Sequence, residues 1–534
     1  MVIGGGITGC GIALDAQSRG LKTALIDKGD FASGTSSKSS KLVHGGLRYL
    51  EQHEFRLVYE SLHERQRLLK NAPHLVEPQP FLIPLFGKGG IADRTIARTY
   101  ATALWIYDLT GGLRIGKRHK RISKAEASAH LPTLRTEKLA AGFIYYDARV
   151  DDARLTLTVA KTAALKYGAC VANYVKATNF VKDSNGKITN VAIAGDAIDE
   201  GSSISCRWVV NATGVWADEL RTIDEGVPEH SIRPAKGIHI TVPFDKLPCD
   251  IAAVIPVRKD HRSIFIIPWA WGNQTYIGTT DTDYSGPLDD PECTSEDVKY
   301  LIDAVNSFVS DPISSSDVIG IWAGLRPLVS SGTKSKRART ADLSRRHHIS
   351  VSPSNLLTIT GGKLTTYRQM AQDCVDEVLV SIDRPKIKCQ TKQLKLIGSE
   401  SYDLAQLEKQ ANQLNLSSEM IGILKRRYGA QAIEVIKLCE SDPSLANQLI
   451  SGANYLKAEV VYGIRFEMAQ TIEDIVARRT RALLVEQPNL LESIDEISQL
   501  IAQELGWDEP TRQMELKNFV EGARRRSEHA GLLI

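Results

Sequence analysis

The chain has 534 residues, 43% hydrophobic and 24% charged, a composition that excludes the disordered, collagenous and disulfide-scaffold classes. Lys+Arg 66 against Asp+Glu 63 leaves a net charge of +3, too balanced to argue for a nucleic-acid binder. Eight cysteines without a C-x-x-C pair predict neither a disulfide framework nor a zinc site. The apolar runs, such as 265–268, fall far short of the roughly 18–20 residues a bilayer crossing needs.

Residues 2–27 read as strand, glycine turn, helix, strand. Gly4-x-Gly6-x-x-Gly9 opens a helical pattern that runs from Ile7 to Arg19 and stops at Gly20, and Asp27 closes the next strand 18 residues after Gly9. Glycines at this spacing permit a tight turn and close approach to a pyrophosphate, the helix N-terminus offers N–H groups to the phosphates, and the acid accepts ribose hydroxyls. An adenine dinucleotide is expected. Asp27 sets the site against a 2′-phosphate, while FAD and NAD are not separated by the motif. A strand needs about five residues, and fewer precede the glycines, so the first strand is expected to be clipped and the native chain to begin upstream.

Residues 33–40 would be a flexible linker by composition alone. A helical pattern follows from Gly46 to Asn71. Strand-like segments occupy 141–150, 171–195, 232–242, 251–257, 262–268 and 274–280. Val209 to Gly214 and Leu356 to Gly362 are further strand-to-glycine-to-helix transitions, and from Asp403 the sequence is helical and charged, with no internal repeat. Six basic residues crowd 114–124 and a second group lies at 334–346; each reads either as a solvated loop or as a surface drawn to anionic lipid headgroups. Asp281, Asp283, Ser285, Gly286 and Glu292 match a calcium-loop pattern, but such a loop lies between two helices, whereas a strand precedes this one and Pro287 and Pro291 stiffen it. His347-His348 has no partner at metal spacing, so no metal is expected.

The glycine motif combines with a Ser-rich run into His44-Gly45-Gly46-Leu47-Arg48-Tyr49-Leu50 and with Asn211-Ala212-Thr213-Gly214-Val215-Trp216. Lys236-Gly237-Ile238-His239, 277–283, Ala323-Gly324-Leu325-Arg326-Pro327-Leu328, Gly361-Gly362-Lys363-Leu364, 459–462 and Ala477-Arg478-Arg479-Thr480-Arg481 complete the set. Together these stretches, spread over nearly the whole chain, resemble the FAD-dependent glycerol-3-phosphate dehydrogenases. Asp27 stands where Glu is common in that family.

The resemblance implies an α/β fold: a Rossmann-like FAD-binding domain from 1–75, 145–230 and 320–380, an inserted, mainly antiparallel substrate domain from 76–144 and 231–319, and a C-terminal helical domain over 390–534. It implies FAD held by Gly4, Gly6, Gly9, Asp27, the hydroxyl-rich loop (Thr35, Ser36, Ser37, Ser40, Lys41), Thr213, Gly214, Gly362, Lys363 and Leu364. The implied reaction oxidises C2 of sn-glycerol 3-phosphate to give dihydroxyacetone phosphate, with hydride passing to flavin N5 and electrons to a membrane quinone. Arg48, Tyr49, Arg326 and His239 would bind substrate; His239, as base, Arg326 and Lys363 would be catalytic, and His44 would lie nearby. Arg suits a phosphate dianion through its two-donor fork, and a His with a pKa near 6.5 suits proton acceptance near neutrality. A peripheral position is implied, on the cytoplasmic face of a bacterial inner membrane or at a mitochondrial inner membrane, and a homodimer is left open. The alternatives are an α-glycerophosphate oxidase using O2 and making H2O2, an amine or amino-acid oxidase, and a flavin-binding scaffold without turnover. The oxidase branch carries a long insertion between the matching Arg and Lys, which here lie only 37 residues apart.

Overall fold

The computed structural model describes residues 1–51, 54–87, 93–226, 231–257, 262–329, 346–382, 387–401 and 403–533, with the side chains of 48, 51 and 112 left aside. Two large sheets organise it. The first has six strands in the order His348–Val351, Leu356–Thr360, Val209–Asn211, Val2–Ile3, Ala24–Ile26, Cys170–Ala172, all parallel except the antiparallel edge strand His348–Val351. Its central strands are rich in Val, Ile and Leu and almost wholly buried, as expected where both faces are covered. On one face the helix Ile7–Ser18 packs between Asp152–Tyr167 and Tyr367–Ser381, burying Ile12, Leu14, Leu25, Leu155, Leu357 and Cys374. On the other, Ile3, Ile26, Val209 and Leu356 meet Phe180 and Val191 of a three-stranded antiparallel sheet and Leu220 of the helix Ala217–Glu225. Only glycine fits the first turn. Gly4 has φ +110° and a Cβ there would lie 2.6 Å from Ala212 O; a Cβ on Gly9 would lie 1.8 Å from Gly4 O.

The second sheet has ten strands and is antiparallel except where Ala252–Pro256 runs parallel to Val76–Phe86. Its longest ladder joins Ile232–Pro243 to Gly320–Val329, from Ile232↔Val329 to Thr241↔Gly320. The strand Gly320–Val329, grouped by the sequence with the dinucleotide-binding part, therefore hydrogen-bonds within this sheet, as does most of Leu139–Val150. Period-two alternation sorts the side chains. Ile238, Ile240 and Val242 enter an aliphatic core under the helix Ser295–Asn306, so His239 between them points to the opposite face. That face is aromatic: Phe81, Tyr145, Trp269, Tyr276 and Trp322.

The pattern read as one helix over 46–71 is two, Arg48–Glu51 and Phe55–Asn71. A helix without an assigned sequence signal, Arg94–Thr110, is capped by Asp93, whose carboxylate accepts from the amide of Thr95 at 2.7 Å. From Leu404 onward the described chain is helical, with two further cores. The segment Ala482–Val485 leaves the helical part to pack against Gly320–Val329, where Leu484 O accepts from the hydroxyl of Thr241 at 2.8 Å.

Candidate active site

Two cavities lie between the sheets. One, of about 570 Å³, is lined by Gly4, Gly6, Thr8, Asp27, Lys28, Thr213 and Gly214. The other, of about 360 Å³, is lined by Ser40, His44, Tyr49, His239, Asp281 and Arg326. Both share Ile7, Thr35, Ser36, Pro327, Gly361, Gly362, Lys363 and Leu364 in their walls, so the glycine turn at 361–362 marks where they meet. Gly361 and Gly362 take φ +73° and +85°.

The first cavity fits a dinucleotide. The Ser33 to Ser40 stretch is an ordered turn around the short helix Thr35–Ser37; Ser36 is buried and its hydroxyl accepts from the amide of Ile7 at 2.9 Å, closing the first turn of the glycine-motif helix. Gly214 has φ +63° and open space where a Cβ would point, leaving backbone exposed to the cavity. Asp27 accepts from the amides of Gly5 at 2.5 Å and Gly29 at 2.8 Å; burial outweighs those bonds and pushes its pKa up to about 6. Gly9 serves packing behind the turn. Ser37 and Lys41 face away from both cavities: Ser37 O accepts from Lys41 Nζ at 3.1 Å, and Lys41 Nζ lies 3.1 Å from Asp152.

In the second cavity His239 is 3% exposed. Its Nε2 shares a 2.9 Å hydrogen bond with Ser40 Oγ, and its ring stacks on Trp322 at 4.7 Å with an 8° tilt. Nδ1 has no hydrogen-bond partner among the described residues. Burial, then the cations Lys41 and Arg326, hold its pKa well below 6.5, so His239 is neutral near neutrality. Arg326 is oriented by Asp281 at 3.2 Å, Thr279 Oγ1 at 3.2 Å, Thr280 O at 3.2 Å and Lys236 O at 3.4 Å. Lys363 Nζ lies 3.8 Å from the centre of the Tyr49 ring and 3.4 Å from Ser61 Oγ. Thus His239, Arg326, Lys363, Tyr49 and Ser40 are brought together. Arg48 sits on the helix Arg48–Glu51, and its side chain lies outside the described set.

The walls of this cavity also carry the largely apolar Leu47, Phe81, Ile83, Tyr100, Val254 and Phe265, with Asp147 and Arg262 among them. Tyr100 belongs to the helix Arg94–Thr110, whose outer side exposes Ile96, Trp105 (44%) and Leu109 (72%), with Leu113 just beyond its end. Beside it, the basic residues Arg114, Lys117, Arg118, Lys120, Arg121 and Lys124 are all exposed, and Arg118 lies over the Trp105 ring at 5.4 Å. Among the described residues no helix is long and apolar enough to cross a membrane. Of the second basic group, 330–345 lie outside the described residues, and Arg346 pairs with Glu54 at 2.6 Å. The calcium-loop aspartates are engaged by arginines: Asp281 by Arg326, and Asp283 by Arg233 at 2.6 and 2.7 Å.

Residues 1–368 match the FAD dependent oxidoreductase family, and 389–512 match the C-terminal domain of alpha-glycerophosphate oxidase. Glycerol-3-phosphate dehydrogenase 2 of Mycobacterium tuberculosis is 38% identical over 525 residues, 97% of this chain and 87% of that protein. The mitochondrial glycerol-3-phosphate dehydrogenase of Mus musculus is 36% identical over 538 residues, 97% of this chain and 72% of that protein. The chain belongs to the FAD-dependent glycerol-3-phosphate dehydrogenases. The glycerol-3-phosphate dehydrogenase from Bacillus halodurans, solved with FAD, aligns with TM-score 0.78 at 31% identity over 98% of this chain and 94% of its own. An L-alpha-glycerophosphate oxidase from Mycoplasma pneumoniae, at TM-score 0.56 and 15% identity over 74% of this chain and 97% of its own, shares the fold. FAD is the cofactor of this family, and the residues lining the first cavity suit it.

Sequence reading missed Trp322, Tyr276 and the anchors of Arg326. Trp322 lies only one residue before the Ala323 to Leu328 motif; its signal was the alternation along Gly320–Val329, which puts it directly opposite His239.

Proposed function

We propose that this protein oxidises the C2 alcohol of sn-glycerol 3-phosphate, giving dihydroxyacetone phosphate, and passes the electrons to a membrane quinone. The observation that carries this reading is one cavity in which a neutral, buried His239, an oriented Arg326 and Lys363 share walls with the dinucleotide cleft. FAD, held by the residues that line the first cavity, would supply two-electron, hydride-accepting chemistry. Arg326 supplies the cation for the phosphate: Lys236 O, Asp281 and the Thr279–Thr280 acceptors hold its guanidinium at the cavity wall, and its Nη hydrogens turn from them to the phosphate as substrate binds. His239 takes the hydroxyl proton at Nε2, the ring atom already reached by the Ser40 hydroxyl. Lys363, at the junction of the two cavities, stabilises negative charge developing on the substrate oxygen. Loss of hydride from C2 and of the proton from its hydroxyl leaves the ketone.

The quinone reading is supported by the apolar residues in the cavity wall, more than a phosphate ester needs, and by Tyr100, which ties that wall to the helix Arg94–Thr110. The exposed Trp105 and Leu109 beside a basic rim suit a monotopic contact in which apolar side chains dip below anionic headgroups. Oxygen uptake measured against reduction of a short-chain quinone, with glycerol 3-phosphate in excess, tests the acceptor. Quinone reduction with little peroxide is expected; turnover sustained by oxygen alone would make the protein an oxidase.

A further inference from the structure

Behind the cavity wall, the loop that carries Ser40 is tied around one carboxylate. Asp152 Oδ2 accepts from the amide of Ser39 at 3.0 Å and its hydroxyl at 2.6 Å; Oδ1 meets Lys41 Nζ at 3.1 Å and Arg481 Nη2 at 2.7 Å. Arg481 Nη2 also donates to Ser37 O at 2.7 Å, and its Nε lies 3.6 Å from Asp151. Lys41 Nζ then lies over the Trp322 ring at 4.7 Å, the same ring that stacks on His239, while Trp322 Nε1 donates to Ser39 O at 3.2 Å. Lys41 and Arg481 take positive φ of +56° and +73°, a conformation that costs a β-carbon-bearing residue free energy and persists where the surroundings over-determine it. Lys41, Asp152 and Arg481 are all fully buried, and none lines either cavity.

We propose that Lys41, Asp152 and Arg481 form a buried positioning unit that aims Ser40 at His239 and places a cation behind the Trp322–His239 stack. Through Arg481, the helical domain thereby acts on a reaction whose cavity it does not line. The inference rests on His239 being the base. The charged groups bearing on His239 are Lys41 and, from the neighbouring strand, Arg326; Ser40, Tyr276, Trp322 and the backbone of Gly278 complete its surroundings. Around Lys41 stand Asp152, Asp151 and Arg481. Burial and Arg481 outweigh the two aspartates and lower its pKa to about 8, so it carries charge at neutral pH. That cation disfavours imidazolium, consistent with the lowered pKa of His239.

The test is the pH dependence of flavin reduction by glycerol 3-phosphate in anaerobic single turnover, with FAD content checked by absorbance. In Lys41→Met the acid limb is expected to rise by about one pH unit, the scale of a like charge removed at this range. Arg481→Gln should move it the same way by less, and Asp152→Asn the opposite way. A role confined to holding the fold together lowers the holoenzyme yield and leaves the limb in place. If Lys41→Met fails to retain FAD, Arg481→Gln decides alone. Superimposable profiles in the variants that fold overturn the proposal. His239→Gln, run in parallel, separates the two readings. If it loses flavin reduction while the limb in Lys41→Met stays put, only the positioning unit falls; if it reduces flavin as wild type does, the base and the unit fall together.

Discussion

At the junction with the helical domain, cations and carboxylates meet directly. Asp30 takes Arg478 at 2.5 Å and Arg479 at 2.6 Å, and Glu467 takes Arg154 at 2.5 Å and Lys161 at 3.3 Å, all with little or no exposure. In the active-site cavity, the cations are held differently. Arg326 shares one carboxylate with three neutral oxygens, and Lys363 is placed by an aromatic ring and a hydroxyl. Full pairing between buried charges fixes two bodies against each other, because losing either member strands the other. A carboxylate joined by neutral acceptors, or a ring joined by a hydroxyl, fixes a cation's geometry at the wall of the cavity, where an anionic substrate would meet it. The same residue types thus hold the junction together and equip the cavity for chemistry.

The largest effect should come from breaking the junction. Glu467→Ala leaves Arg154 buried without its carboxylate and should cost about 3–5 kcal/mol of stability in denaturant titration. Flavin reduction per folded molecule should be nearly unchanged, which distinguishes the junction from the cavity.

Acid should find the same weak point. Burial pushes the Glu467 carboxyl up, but Arg154, Lys161 and Arg479 outweigh it and hold its pKa down at about 2. A depressed acid pKa stabilises the fold above the unfolded value near 4.5, and that contribution is lost as pH falls through the folded value. Stability measured from pH 5 to pH 2 should therefore decline by about 3 kcal/mol from this group, and Glu467→Gln should flatten that decline. An equally steep loss in the variant would assign it elsewhere.

In the cavity, Arg326→Lys keeps the charge but loses the fork and abandons Thr279 and Thr280. Here kcat/KM for glycerol 3-phosphate should fall by about 1.5–3 kcal/mol, tenfold or more, with stability little changed. Wild-type kinetics would remove Arg326 as the phosphate clamp.

The smallest effects belong to the outer face of the helix Arg94–Thr110. Leu109→Ser should weaken vesicle binding about tenfold at every salt concentration, from about 1.5 kcal/mol of lost apolar burial. Arg121→Gln should cost about 1 kcal/mol at low salt and nothing measurable at high salt. Co-sedimentation with anionic vesicles reads both, and unchanged binding in both variants would move the contact off this face.

Much of this was legible in the sequence where local chemistry is strict. Gly4 and Gly9 could be read because backbone crowding admits no side chain, and His239 through the family resemblance carried by Lys236-Gly237-Ile238-His239. The resemblance implies only that Lys41 lies at the cofactor; that its ammonium turns to Asp152, a partner 111 residues away, no local pattern announces. The hydroxyl-rich loop looked like a linker because its order comes from distant Asp152, Arg481 and the helix N-terminus at Ile7 rather than from its own composition. The exposed apolar side of Arg94–Thr110 escaped notice because Leu104 and Tyr107 are buried on the same helix, and sequence alone does not say which face turns outward.

The most direct measurement is anaerobic stopped-flow bleaching of the bound flavin by glycerol 3-phosphate, in wild type and in His239→Gln. Wild type should bleach fully, glycerol should not replace the phosphate ester, and His239→Gln should slow reduction by about 10²–10⁴-fold with FAD retained. Failure of wild type to bleach, or bleaching of His239→Gln within about threefold of wild type, which is far below what loss of a general base costs, would contradict the assignment of this cavity and its base.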